Sequence, residues 1–167
     1  MVEIIDKIED KNLLEALYSV SDPEIPVLTV LDMGIIQEVK QEGKKIFIDI
    51  IPTYTGCPAM DTIAMDLKLA LENAGYEADI QLKLSPAWST DMISEEGRRK
   101  LEEYGIAAPL EATQDKLALL EGERIVKCTN CGSTNTKMVS QFGSTPCKAL
   151  FKCEDCLEPF DYFKCLK

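Results

Sequence analysis

Four cysteines near the carboxyl end constrain this chain more than any other feature. Cys128-Thr129-Asn130-Cys131-Gly132 and Cys153-Glu154-Asp155-Cys156 are two C-x-x-C knuckles with 21 residues between them. That spacing is close to the pattern of a zinc ribbon. A C-x-x-C turn lets two thiolates reach one ion at ~2.3 Å, and two turns complete a tetrahedron. Gly132 can take the positive φ that such turns need. Four thiolates leave no open coordination position, so one structural zinc at Cys128, Cys131, Cys153 and Cys156 is expected, not a hydrolytic centre. Sulfur ligation alone does not choose the metal. A rubredoxin-like iron site and an iron–sulfur cluster stay open as alternatives, as do ordinary buried cysteines.

The cysteines also divide the chain. Of seven, only Cys57 precedes residue 125, and the other six lie in residues 125–167. Charge divides at the same point. The whole chain carries 18 basic and 29 acidic side chains. Residues 1–124 have a net charge of −13 and residues 125–167 of +2. A surface this acidic repels phosphates, so no nucleic-acid partner is expected. The first residues, Met1-Val2-Glu3-Ile4-Ile5-Asp6, show no basic and apolar leader, and no apolar run reaches the ~18 residues of a membrane span. A cytoplasmic location without membrane attachment is therefore expected. There thiols stay reduced, and paired cysteines read as metal ligands before disulfides. A 43-residue tail with few aliphatics depends on its metal to fold. Cys147, beside Lys148, and Cys165 are left over, as packed thiols or additional ligands.

Ahead of the tail, Leu13, Leu14, Leu17 and Val20 share one helical face over Asp10–Val20. Residues 35–40 and 46–51 form a hairpin around Gln41-Glu42-Gly43-Lys44. After a loop from Pro52 to Pro58, the stripe Met60, Ile63, Ala64, Leu67, Leu71 reads as a second helix stopped by Gly75. Ile80, Leu82 and Leu84 alternate as a third strand, which a right-handed crossover makes parallel to the second. Ser94 caps a third helix stopped by Gly105, with acidic residues in its first turn and basic residues later. The predicted fold is a small α/β (α+β) domain of order α-β-β-α-β-α over residues 1–105. A linker over 106–124 holds one short helix near 113–120, and a four-cysteine zinc ribbon follows over 125–167.

With Pro58 as the first residue of the second helix, Cys57 falls on the N-cap. Backbone N–H groups and the helix dipole there favour a thiolate, and Gly56 allows close approach. The plain alternative is a small packed side chain. Asp22 and Glu24 either form a turn or supply groups near Cys57. Trp88, the only tryptophan, is either half-buried or a docking anchor. The chain has no histidine, so triads, imidazole bases and paired Glu-x-x-His di-iron motifs are excluded. No pair of its nine glycines is spaced for a phosphate or dinucleotide loop. Thiolate chemistry, metal binding and protein contact remain.

Three segments carry a resemblance. Asp22-Pro23-Glu24-Ile25-Pro26, Asp32-Met33-Gly34-Ile35-Ile36 and Thr53-Tyr54-Thr55-Gly56-Cys57-Pro58 resemble the MIP-type iron–sulfur assembly domain also found in SufT. Trp88-Ser89-Thr90-Asp91-Met92, Phe142-Gly143-Ser144-Thr145, Cys147-Lys148-Ala149-Leu150 and Glu158-Pro159-Phe160-Asp161-Tyr162 narrow it. With both knuckles they resemble the PaaD (PaaJ) family of the phenylacetyl-CoA epoxidase system. The resemblance implies an accessory or maturation protein of aerobic phenylacetate catabolism, and not the ring-epoxidising oxygenase itself. Its clients would be the reductase, with its [2Fe–2S] cluster, or the di-iron oxygenase. Cys57 would be the iron–sulfur thiolate for a transient cluster, with Asp22, Glu24 and Thr55 in support. The competing reading is a non-catalytic structural adaptor that binds the oxygenase complex through the ribbon. A homodimer is compatible with either.

Overall fold

The structure is a computed structural model, which defines Ile5, residues 8–109 and residues 126–164. The expected helix near 113–120 and Cys165 lie outside the described residues. The chain divides into two compact units. One is Met1–Trp88 with Met92–Ser94, and the other is Ser89–Asp91 with Glu95–Lys167.

The first unit has the elements α1 (Lys11–Tyr18), β1 (Ile36–Glu42), β2 (Lys45–Ile50), α2 (Ala59–Asn73) and β3 (Glu77–Leu82). Helix α1 begins where Asp10 accepts the N–H groups of Asn12 at 3.1 Å and Leu13 at 3.3 Å. That satisfies two of the donors a helix start leaves open. Strands β1 and β2 are antiparallel, and β2 and β3 are parallel, in the order β1-β2-β3. The hairpin turns at Gly43, whose φ of +64° suits a residue without Cβ. The parallel pairing of β2 and β3 is the one the sequence pattern predicts.

Alternation along β2 decides what is covered. Ile46, Ile48 and Ile50 are fully buried, and each contributes about 2 kcal/mol by leaving water. Leu13, Leu17, Ile63, Leu67 and Leu71 of the same unit are buried as well. The opposite face of β2 offers Lys45, Phe47 and Asp49, partly or wholly in solvent. Its charges are paired there, Lys40 with Glu38 and Lys83 with Asp49. Strand β3 ends at Leu82, so Leu84 lies beyond it and is exposed. Trp88 is no docking anchor. It is 3% exposed, and its indole N–H donates to the Met33 carbonyl at 2.9 Å. A buried indole needs such a partner, and the turn before β1 supplies it.

The second unit contains a 3-10 turn (Thr90–Met92 in part), α3 (Glu95–Tyr104), β4 (Ile106–Ala107), β5 (Thr136–Ser140), β6 (Lys148–Cys153) and β7 (Pro159–Phe163). Its sheet runs β4-β7-β6-β5. Helix α3 belongs to this unit, although the sequence pattern groups it with the first domain. The reason is β4. Ile106 and Ala107, expected within the linker, pair in parallel with Asp161 and Tyr162 of β7. The core here is largely aromatic: Phe151, Phe160 and Tyr162 with Val126, Ala149 and Ala107. Phe151 meets Tyr162 edge-on at 5.6 Å between centroids. Among the described residues, no helix is long and apolar enough to cross a membrane.

Candidate metal centre

Each C-x-x-C pair lies on a tight turn at a sheet end. The first knuckle folds back through Gly132 N–H to Cys128 O and Cys128 N–H to Ser133 O, both 2.9 Å. Gly132 sits at φ +72°, as expected for such a turn. The second knuckle leaves β6 at Cys153 and returns as Cys153 N–H donates to Glu158 O at 2.9 Å. Strand pairing brings the knuckles together, because Thr136 lies opposite Cys153.

The four sulfurs all lie within 4.8 Å of one another. Cys128 and Cys156 are 3.6 Å apart, and Cys131 and Cys153 are 3.6 Å apart. A tetrahedron with ~2.3 Å metal–sulfur bonds has edges of about 3.8 Å, so the donor set fits one zinc-sized ion. The electrostatics ask for a cation. The Ser133 backbone N–H favours the Cys131 thiolate. Its sulfur neighbours and local desolvation outweigh this and push the thiol up to about 12. Four thiolates this close ionise together only around a positive ion. Cys128 and Cys153 are buried, and Cys131 and Cys156 are exposed.

A contact network that sequence reasoning missed ties the knuckles together. Asp155, inside the second knuckle, accepts from the Ser133 hydroxyl at 2.5 Å and the Asn135 amide at 2.6 Å. Both donors follow the first knuckle. Asn135 O also accepts the Glu154 N–H at 2.9 Å. These donors, Ser133 first, hold the Asp155 carboxyl below the usual carboxylate range. The signal in the sequence was the polar pair Ser133 and Asn135 directly after a knuckle, residue types that bond locally to backbone and carboxylate.

Cys57 lies elsewhere, in the first unit, on the loop that joins β2 to α2. Helix α2 starts one residue later than expected. Pro58 is the N-cap, in helical conformation and without a side-chain cap, so Cys57 precedes the cap. A turn shifts the boundary: Cys57 N–H donates to Tyr54 O at 3.2 Å and Met60 N–H to Cys57 O at 3.3 Å. Thr55 is exposed, Gly56 has φ +80° and Cys57 is half-buried. Asp22 is 6% exposed, and one of its oxygens accepts the N–H groups of Glu24 at 2.7 Å and Ile25 at 2.8 Å. Asp32 binds the Thr29 hydroxyl at 2.8 Å and the Ser94 hydroxyl at 3.3 Å. These carboxylates brace the loop before β1. Among the described residues, the four ribbon cysteines are the group of three or more donors close enough to hold an ion, and Cys57, Asp22 and Glu24 form no such group. Cys147 is buried beside Thr145, with 3.0 Å between hydroxyl and sulfur, and stands outside the four-cysteine set.

Comparison with known proteins follows these two units. Residues 112–164 match the family model of the PaaD zinc beta ribbon domain, and residues 10–81 match that of the iron–sulfur cluster assembly protein. The chain is 44% identical over 151 residues to an Escherichia coli protein named for 1,2-phenylacetyl-CoA epoxidase, of which it is described as one subunit. That match covers 90% of this chain and 89% of that one. The chain is 34% identical over 96 residues to an Fe–S protein maturation auxiliary factor of Porphyromonas gingivalis, covering 55% of this chain and 90% of that one. A crystal structure of a domain of unknown function from Bacillus anthracis aligns with a TM-score of 0.49 and 26% identity, over 53% of this chain and 87% of that one. With an assembly-type domain ahead of a four-cysteine ribbon, and a relative matched along about nine-tenths of its length, the chain belongs to the PaaD family.

Proposed function

We propose that this protein is an accessory maturation factor of a phenylacetyl-CoA epoxidase system and assists assembly of the iron–sulfur cluster or metal centre of its reductase or oxygenase. The observation that carries this reading is the union in one chain of an assembly-type domain with a four-thiolate metal site. The ribbon holds one structural zinc through Cys128, Cys131, Cys153 and Cys156. Its four sulfurs fill the coordination sphere, so the ion serves folding and leaves chemistry to other groups. Cys57 is the thiolate that handles iron and sulfide transiently. It is half-buried on a loop next to Gly56, where a client can approach. In this reading Asp22 and Glu24, from the turn before β1, and the exposed Thr55 are its supporting residues. The relatives named for epoxidase and for Fe–S maturation point the same way.

Anaerobic loading with iron and sulfide, followed by transfer to apo-reductase, tests the reading. The parent protein is expected to mature the reductase, and Cys57→Ala is expected to lose most of that transfer while keeping its zinc. Equal maturation by Cys57→Ala would remove the thiol from the process. One observation favours the adaptor reading instead: Cys57 joins no multi-donor group among the described residues. An adaptor would form a stable stoichiometric complex on gel filtration and would keep full effect as Cys57→Ala.

A further inference from the structure

Two sheets leave four edge strands, and three of them are blunted. Strand β1 slips register between Ile36 and Glu38, and β5 between Met138 and Ser140. Strand β4 is two residues long. Bulges and shortness keep a native edge from pairing with another chain. Strand β3 has neither device. It pairs with β2 in unbroken register, from Glu77 beside Lys45 to Leu82 beside Ile50. Among the described residues, no strand pairs with its far side. Glu77 N–H donates to Lys44 O and Lys83 N–H to Ile50 O, both at 2.8 Å. The odd-numbered residues therefore bond to β2, and Ala78, Ile80 and Leu82 turn their backbone N–H and C=O groups outward.

The apolar row on this strand also runs past its cover. Ala78, Ile80 and Leu82 stand beside Ile46, Ile48 and Ile50 and share their face. The isoleucines of β2 are fully buried. Ile80 is half-buried, Leu82 is 51% exposed, and Leu84, just beyond the strand, is 70% exposed. Open backbone groups beside an open apolar row fit an added strand. The residue order suits a second copy. With two β3 strands antiparallel and Ile80 opposite Ile80, Ala78 falls opposite Leu82, Asp79 opposite Gln81 and Glu77 opposite Lys83. The outward-facing residues then form hydrogen-bonded pairs. Apolar side chains meet on one face, and Glu meets Lys on the other. A two-residue slip one way sets Asp79 against Asp79, and the other way leaves Glu77 opposite Ser85. Existing contacts leave room for the exchange. Glu77 is 4.0 Å from Lys45. Lys83 is 3.7 Å from Asp49 and donates to Gln81 at 2.7 Å. An ammonium carries further donors, and a carboxylate further acceptor positions.

We propose that this protein pairs with a second copy of itself through β3, so that two three-stranded sheets become one, antiparallel across the seam. The net charge of −11 on each copy opposes their approach, so the seam itself supplies the affinity. The pairing has a consequence for Cys57. Its loop follows β2, which runs parallel to β3. The two copies run in opposite directions, so their Cys57 loops fall at opposite ends of the seam. The dimer presents two separate thiols and no shared pair.

Sedimentation velocity of the full chain under reducing conditions, over a wide range of concentration, tests the seam, with Trp88 emission as a check on the fold. The parent is expected to pass from monomer to dimer as concentration rises. A parent that stays monomeric overturns the proposal. Leu82→Pro removes an outward N–H that β2 does not use, a change an edge strand tolerates. It is expected to keep the parent's emission and to stay monomeric. Lys83→Glu is expected to weaken the dimer about tenfold, and Glu77→Lys added to the same chain is expected to restore it. Dimerisation of Leu82→Pro as strong as the parent's overturns the seam, and so does a double variant no tighter than Lys83→Glu. Amide exchange reads the seam without a variant. The N–H groups of Ala78, Ile80 and Leu82 are expected to exchange more slowly as concentration rises. Unchanged rates in a sample that dimerises would place the dimer on another surface and overturn the proposal.

Discussion

Asp155 stands in sequence with the second knuckle, yet its carboxylate engages Ser133 and Asn135 beyond the first. It therefore ties the second knuckle to the chain that follows the first. In metal sites such outer contacts typically matter by about 10–100-fold in affinity. Asp155→Ala is expected to release zinc to a chromogenic chelator at least about tenfold faster than the parent, with the same stoichiometry at the start. Unchanged release would mean that strand pairing alone aligns the knuckles. The two classes of residue differ in how they show in sequence. The cysteines were legible because a C-x-x-C turn encodes its own geometry within four residues. The clamp was not, because its partners are 20 and 22 residues apart and carry no period. Trp88 was misleading for the same reason: the carbonyl that satisfies it is 55 residues away.

At the scale of elements, the start of α1 is tied to the sheet through one carboxylate. Asp10 caps the helix and also accepts from the Tyr76 hydroxyl at 2.6 Å and the Gln41 amide at 3.1 Å. The bond to Asp10, then burial, pushes Tyr76 up to about 12. The bond from Tyr76, then that from Gln41, holds Asp10 below its ordinary value. Folded Tyr76 holds its proton more tightly than the unfolded chain does. Its contribution is complete below the ordinary tyrosine value near 10 and is lost as pH rises through about 12. Folded Asp10 holds its proton less tightly. Its contribution is complete above the ordinary value of about 3.9 and is lost as pH falls through its lowered value. Asp10→Asn keeps a capping side chain without the charge. Its thermal midpoint is expected to fall less steeply than the parent's as pH drops from 6 to 2. Parallel curves would show that the cap draws nothing from ionisation. The existence, type and order of the elements in the first unit were legible because periodicity fixes them locally. The end of α2 nearest Cys57 was read one residue early, because a turn from Tyr54 competes with the helix for the same backbone groups.

For the whole molecule, cysteines and charge divide the sequence at one point, whereas sheets divide the fold at another. Helix α3 and the short strand β4 carry no cysteine, and only the pairing of Ile106 and Ala107 with β7 assigns them to the second unit. That pairing is long-range and has no local signature. It also changes what a metal in the ribbon would have to do. The unit is more than a ribbon, because Ile106, Ala107 and Leu101 are buried within it together with an aromatic core. Two of the four ribbon cysteines, Cys128 and Cys153, belong to that core. Loss of the ion would leave their sulfurs buried without a counter-charge or a bond, and the ends of β6 and the first knuckle would open first. The first unit has its own core and no part in the four-thiolate site. Trp88, buried in that unit, is an internal reporter for it. Stripping the metal with a strong chelator is expected to raise amide exchange across β5, β6 and β7 by orders of magnitude. Trp88 emission is expected to stay blue and unshifted. Protected β6 and β7 amides after metal loss would show that the aromatic core holds the unit by itself. A red shift of Trp88 in step with metal release would show that the two cores unfold as one.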